Sequence, residues 1–129
     1  MGEEGREFRV LAVDDDYLIR LLLADVLTNA SCRVLTASDG AEAVEILEKE
    51  PVDLLITDYD MPRMNGLELI RWSKARFPHV IAVMITGQNC QALAADGRQL
   101  GALRVLLKPF SVEHLLSLVG EIRGTAPIP

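Results

Sequence analysis

Three consecutive acids, Asp14-Asp15-Asp16, close an apolar run that begins at Phe8. The third of five such runs ends in Thr57-Asp58-Tyr59-Asp60-Met61-Pro62, the fourth in Ile85-Thr86-Gly87 and the fifth in Leu107-Lys108-Pro109-Phe110. If the runs ending at Asp14 and Asp58 lie side by side, the carboxylates of Asp14, Asp15 and Asp58 converge. Like charges so close raise at least one carboxyl pKa unless a cation joins them. A hard divalent ion is the simple remedy, since Mg²⁺ takes oxygen ligands octahedrally and is typically held by one or two carboxylates plus phosphate oxygens. Lys108 adds a positive point charge from the other side, and Thr86 a hydroxyl with Gly87 leaving space beside it. That set suits phosphoryl transfer to a carboxylate, which needs a nucleophile, positive charge over the moving oxygens, and positioning. No single piece is specific, but together, each at the end of an apolar run, they form a strong constellation.

The elements that must position these groups follow from the pattern. Five short apolar runs, Phe8–Val13, Arg33–Ala37, Asp53–Thr57, Val80–Ile85 and Leu103–Leu107, alternate with longer segments of helical period. They are rich in Val, Ile and Leu without strict polar alternation, which suits a parallel sheet covered on both faces. Ile19, Leu22, Leu23, Val26 and Leu27 mark the apolar face of a first helix, with Arg20 and Asp25 off it. Ala43, Val44, Ile46 and Leu47 mark a second, opened near Ser38-Asp39-Gly40 and stopped before Pro51. Leu67 and Ile70 follow the helix-start signal Asn65-Gly66, and Val112, Leu115, Leu116 and Val119 follow Ser111, an N-cap residue type. The segment Asn89–Leu100 should form the weakest helix, because Gly97 inside it costs on the order of 1 kcal/mol. Alternating strands and helices imply a doubly wound, flavodoxin-like α/β fold, with ligands bound beyond the carboxyl ends of the strands.

Composition narrows the function. A chain of 129 residues fits one domain and needs no disulfide or metal staple to bury a core. Its net charge of −6 argues against direct nucleic-acid binding, which rests on neutralising phosphates with Lys and Arg. The run Val80–Ile85 is too short to cross a bilayer. The first residues lack the basic start and apolar stretch of a signal peptide. Cys32 and Cys90 lie far apart and read as small packing residues, so a reducing cytoplasm is expected. Gly124–Pro129 reads as a frayed end or the start of a linker.

The chain resembles the receiver domain of two-component response regulators. The likeness spans residues 9–123 and rests on Val13-Asp14-Asp15, on Asp58 with Met61-Pro62 and Asn65-Gly66, on Thr86-Gly87, and on Lys108-Pro109-Phe110. It implies a five-stranded parallel sheet ordered 2-1-3-4-5 with five helices, preceded by an extension over residues 1–8 and followed by a tail over 124–129. It implies that Asp58 accepts a phosphoryl group from a phosphohistidine on a sensor histidine kinase or phosphotransfer protein. Asp14 and Asp15 would arrange Mg²⁺, or Mn²⁺ in its place, with Asp15, Asp58 and the backbone carbonyl of Asp60 as direct ligands. Lys108 and Thr86 would contact the phosphoryl group, and the bond between Lys108 and Pro109 is commonly cis. Output would pass to a downstream protein or an unseen output domain, with a homodimer compatible. The expectation is a signalling switch with self-catalysed phosphotransfer and slow autodephosphorylation, not an enzyme.

Two positions set this chain apart. Receivers often carry Tyr or Phe three residues before the Lys, where a ring swings inward as the Thr moves; here the residue is Val105, stiff and without a ring. Asp60 and Gln88 occupy the positions that tune loss of the phosphate, and an acidic Asp60 would repel or misplace attacking water. Other residues have plainer readings. Asp16 is a helix N-cap; Asp60 shapes the turn before Pro62 or serves the site; His79 and His114 lie on the surface; Trp72 and Phe77 cover the sheet. Two alternatives differ in class: a receiver-like interaction module that works without phosphate, which Val105 favours, and a small phosphohydrolase. For the latter, Asp58-Tyr59-Asp60 resembles the opening of haloacid-dehalogenase-like phosphatases, but Pro62 and the lack of a lid segment disfavour it.

Overall fold

The structure is a computed structural model that describes residues 7–88 and 90–125. Strands and helices alternate as β1 (Phe8–Val13), α1 (Tyr17–Asn29), β2 (Cys32–Ala37), α2 (Gly40–Lys49), β3 (Leu54–Asp58), α3 (Gly66–Arg76), β4 (Ile81–Thr86), α4 (Gln91–Gln99), β5 (Ala102–Leu107) and α5 (Val112–Thr125). All pairings are parallel, in the order β2-β1-β3-β4-β5. Each apolar run becomes a strand, shifted by at most one residue at an end. The fold begins at Phe8, which is buried within β1, and α5 carries Gly124 as a helical residue. Residues 126–129 of the expected tail and Asn89, expected to open the fourth helix, lie outside the described residues.

Burial on both faces explains why the strands lack polar alternation. Val10, Ala12, Leu54, Ile56, Val83 and Ile85 point to one face and pack on Leu23 and Leu27 of α1 and Leu115, Val119 and Ile122 of α5. Their neighbours Leu11, Val13, Leu55, Ala82 and Met84 point to the other, against Ala43 and Leu47 of α2, Leu69 and Ile70 of α3 and Leu93 of α4. Successive strand side chains alternate sides, so a sheet covered twice needs an apolar residue at nearly every position. β3, at the centre, is buried at all of them.

The helices start where short polar side chains satisfy their first N–H groups. Asp16 accepts from the Leu18 amide at 2.9 Å, so it is the N-cap the sequence suggested. Asp39 caps α2, and Asn65 and Glu68 form a reciprocal capping box on α3. Ser111 Oγ accepts from the His114 amide at 2.9 Å at the start of α5. Cys90, the residue before α4, gives that helix no side-chain cap.

Four apolar assignments are corrected. Leu22, Val112 and Leu116 were expected on buried faces but are exposed, because a strand layer covers only a narrow stripe of each helix. On α5 that stripe runs through Leu115, Leu118, Val119 and Ile122 instead. Cys90 is exposed at the start of α4 rather than packed inside, unlike Cys32. Trp72 and Phe77 do pack against the sheet cluster, and His79 and His114 are exposed. No helix among the described residues is long and apolar enough to cross a membrane.

Candidate functional site

Strand order and register bring the chemistry together. Val13 pairs with Thr57 across β1 and β3, so Asp14 and Asp58 emerge side by side at the carboxyl edge of the sheet. On the other side of β3, Asp58 pairs with Ile85, and Thr86 pairs with Leu107, which places Thr86 and Lys108 at the same edge. Each of Asp14, Asp15 and Asp58 offers a carboxylate oxygen within 4.8 Å of the others. Asp14 and Asp58 are buried, whereas Asp15 is exposed. Lys108 Nζ stands 3.3 Å from Asp14 Oδ2 and 3.1 Å from Asp58 Oδ1. The peptide bond from Lys108 to Pro109 is cis.

The electrostatics follow from burial. Desolvation is the largest influence on Asp58 and the Asp14 charge adds to it. Both outweigh Lys108, and the Asp58 carboxyl is pushed up to about 6. Asp14 is raised as well, again chiefly by burial, against the opposing pull of the Asp16 amide and Lys108. Burial alone would lower the Lys108 pKa, but the Asp58 and Asp14 carboxylates overcome it and raise it. One ammonium therefore does not balance the acids. Asp58 Oδ1 is buried, and the cation beside it among the described residues, Lys108 Nζ at 3.1 Å, is shared with Asp14 Oδ2. A buried carboxylate that shares its counter-charge with a second acid is costly. Three carboxylates gathered round one ammonium, two of them buried, fit a hard divalent cation taking oxygen ligands.

The roles open to each acid differ. Asp14 Oδ1 accepts from the Asp16 amide at 2.8 Å and Oδ2 faces Lys108, so both of its oxygens are engaged. Asp15 faces an open cleft of about 360 Å³ that it lines with Tyr59, Asp60, Met61, Pro62 and Asn65. Thr86 is buried at the end of β4, its Oγ1 accepting from the Gln88 amide at 3.0 Å. A Cβ on Gly87 would meet nothing within 4 Å, so the chain is open to solvent at that point among the described residues. Asp60 and Gln88 meet each other: Gln88 Nε2 donates to Asp60 Oδ1 at 3.1 Å. Val105 is half-buried on β5 and packs toward α4, where a Cβ on Gly97 would come within 3.1 Å of Val105 Cγ2.

The contacts of two residues that serve the site are not given by the sequence pattern. Arg20, noted only as lying off the apolar face of the first helix, reaches back to the carbonyl of Asp14. Gly66, a helix-start signal and part of the motif that carries the resemblance, brings α3 against the backbone of Asp58: a Cβ there would collide with the Asp58 carbonyl oxygen and stand 3.0 Å from Tyr59 Cα. Backbone cannot yield as a flexible side chain does. Gly66→Ala is therefore expected to destabilise the fold by about 1–3 kcal/mol in urea melts. It should also depress phosphoryl acceptance in the protein that still folds, since the displaced carbonyl belongs to the central acid.

A fold and a site of this form define a class. The family model for the response regulator receiver domain matches residues 10–120. A probable chemotaxis protein CheY of Rhizobium etli is 36% identical over 128 residues, covering 93% of this chain and 95% of that protein. The DNA-binding transcriptional regulator NtrC of Escherichia coli is 36% identical over 110 residues, which are 85% of this chain but 24% of the regulator. Among solved structures, the chemotaxis response regulator CheY4 of Vibrio cholerae superposes with a TM-score of 0.84 at 32% identity, covering 91% of this chain and 99% of that one. The chain belongs to the response regulator receiver domain family, the phosphorylation-based signalling domains of two-component systems. Such domains are signalling modules that bind Mg²⁺ through an acidic cluster and interact with histidine kinases or phosphotransfer proteins, and some relatives carry output domains.

Proposed function

We propose that this chain is a switch that accepts a phosphoryl group on Asp58. The observation that carries the reading is the placement of Asp58, buried at the centre of the sheet edge with Lys108 Nζ 3.1 Å away and two further acids beside it. With its pKa near 6, Asp58 is predominantly ionised at neutral pH and supplies a carboxylate nucleophile. One of its oxygens attacks phosphorus in a phosphohistidine. The O–P bond forms as the P–N bond breaks, and the imidazole leaves with the bonding pair. Lys108 lies where it meets the phosphoryl oxygens. Asp15, Asp58 and the carbonyl of Asp60 would hold Mg²⁺, or Mn²⁺, with Asp14 arranging the set. The bound ion would neutralise charge on the phosphoryl oxygens. The receiver unit is taken as residues 9–123, working in the cytoplasm. Its donor is a sensor histidine kinase or a histidine phosphotransfer protein, and its output goes to a downstream protein or a further domain. A net charge of −6 disfavours direct nucleic-acid contact.

The switch in this chain works without a swinging ring. Thr86 Oγ1 is held by the Gln88 amide, and donating its hydroxyl to a phosphoryl oxygen repositions that segment and the weakly capped α4 behind it. Val105, branched at Cβ and packed toward Gly97, follows the helix rather than leading it. The test is stoichiometry. Acetyl phosphate with Mg²⁺ should add one phosphoryl group per chain by intact mass, whereas steady turnover of a generic phosphate ester would favour a phosphohydrolase. Kinase docking that is indifferent to Mg²⁺ and to Asp58→Ala would favour a phosphate-independent module.

The bond between Gln88 and Asp60 spans two loops at the mouth of the site and should set the phosphate lifetime as a unit. Asp60→Ala and Gln88→Ala are each expected to shorten the half-life of phosphorylated protein roughly fivefold, the value of one hydrogen bond near 1 kcal/mol. Because both break the same contact, the double variant should lose little more than either single one. Decay of the phosphorylated mass with time reads all three.

A further inference from the structure

We infer that Arg20 is the positioning residue of the acidic turn, holding Asp15 toward Asp58 so that a divalent ion can bridge them; this rests on the metal site proposed above. Arg20 sits in the first turn of α1 and its Nη1 donates to the carbonyl oxygen of Asp14 at 2.6 Å. The guanidinium also lies 5.6 Å from the centroid of the Tyr17 ring, which braces it from a second side. Its own amide donates to the Asp16 carbonyl at 3.1 Å. Arg20 therefore grips the residue before Asp15 with its side chain and the residue after it with its backbone. The turn is closed from within by the Asp16 amide on Asp14 Oδ1 and the Leu18 amide on Asp16 Oδ1. Asp15 is the exposed member of the three-acid set, and the short turn that Arg20 pins fixes the backbone from which it projects.

The sign of the effect separates this role from a simple charge effect. An arginine near three carboxylates repels a cation, so deleting its charge alone should tighten Mg²⁺ binding. Loss of positioning should weaken it, as removal of groups that orient metal ligands typically costs ten- to a hundredfold in affinity. Alanine removes both the charge and the donor to the Asp14 carbonyl, whereas lysine keeps the charge and N–H donors without the planar fork.

Calorimetric titration of the full chain with Mg²⁺ tests the inference, alongside amide hydrogen exchange of the metal-free protein. Arg20→Ala is expected to weaken Mg²⁺ binding about tenfold, with Arg20→Lys recovering part of the loss. It should also speed exchange at Asp16 and Leu18 while leaving Leu27, deep in α1, unchanged. Unaltered or tighter Mg²⁺ binding in Arg20→Ala, or unaltered exchange at Asp16 and Leu18, overturns it. If Arg20→Ala does not fold, the same two readings on Arg20→Gln decide. Should the wild type itself fail to bind Mg²⁺, the metal site of the proposed function falls, and the exchange rates alone decide whether Arg20 holds the turn.

Discussion

Asp58→Asn is expected to gain no phosphoryl group from acetyl phosphate and Mg²⁺ under conditions in which the wild type gains one, read by intact mass. The loss should be complete rather than partial, because an uncharged amide oxygen is a poor nucleophile for phosphorus. Neither neighbouring acid is placed to take over. Both oxygens of Asp14 are engaged, one by the Asp16 amide and one by Lys108. Asp15 is exposed, and among the described residues the ammonium of Lys108 pairs with Asp14 and Asp58 rather than with it. Transfer draws much of its rate from positive charge fixed over the moving oxygens, so a nucleophile distant from Lys108 forfeits that help. The amide should also preserve the fold, being close to the shape of a protonated carboxyl. A mass gain in Asp58→Asn equal to that of the wild type would place the acceptor elsewhere and end the reading.

The chemistry was legible because it sits where the strands stop. A strand buried on both faces must be apolar, so an aspartate, threonine or lysine directly after it stands out without knowledge of the fold. The pairing of β1 with β3 was not local information: parallel crossovers decide it, and only the order β2-β1-β3-β4-β5 turns two separate aspartates into neighbours. Asp16 could be set apart from Asp14 and Asp15 as a cap, since its place before the helix gave it a competing use. Leu22, Val112 and Leu116 misled because helical period tolerates several adjacent stripes, and only packing selects the one that meets the sheet. Arg20 was hidden by the same logic, as a charge off the apolar face normally means solvent. The contact between Asp60 and Gln88 joins loops 28 residues apart and leaves no local signature, and Asn65-Gly66 announces a helix start but not the close approach to the Asp58 backbone.

The second large effect is on stability. Without divalent ions, Asp58→Asn is expected to be more stable than the wild type at pH 7 by about 2–3 kcal/mol, with the advantage vanishing near pH 4. The sign follows from linkage. A carboxyl raised in the folded protein from 3.8 to about 6 binds its proton more tightly folded than unfolded. Between those values the native state holds more protons, so stability from this group falls as pH rises. Below about pH 4 both states are protonated and the penalty is absent; above about pH 6 it is fully present. A shift of that size corresponds to about 3 kcal/mol, and at 4% exposure solvent screens little of it. The raised pKa of Lys108 acts only in alkali and does not enter this window. Asp14 contributes in the same direction but is present in both proteins, so the difference between them isolates Asp58 to first order. Mg²⁺ should act oppositely. An ion bound only by the folded state stabilises by RT ln(1 + [Mg²⁺]/Kd), and it competes with the proton at Asp58, so its benefit should be larger at pH 7 than at pH 5 and largely lost in Asp58→Asn. Urea melts of both proteins across this pH range, with Mg²⁺ and with EDTA, measure every part of this. If the gap between the two proteins stays constant with pH, or Mg²⁺ stabilises both alike, then the burial of Asp58 is not what the ion relieves.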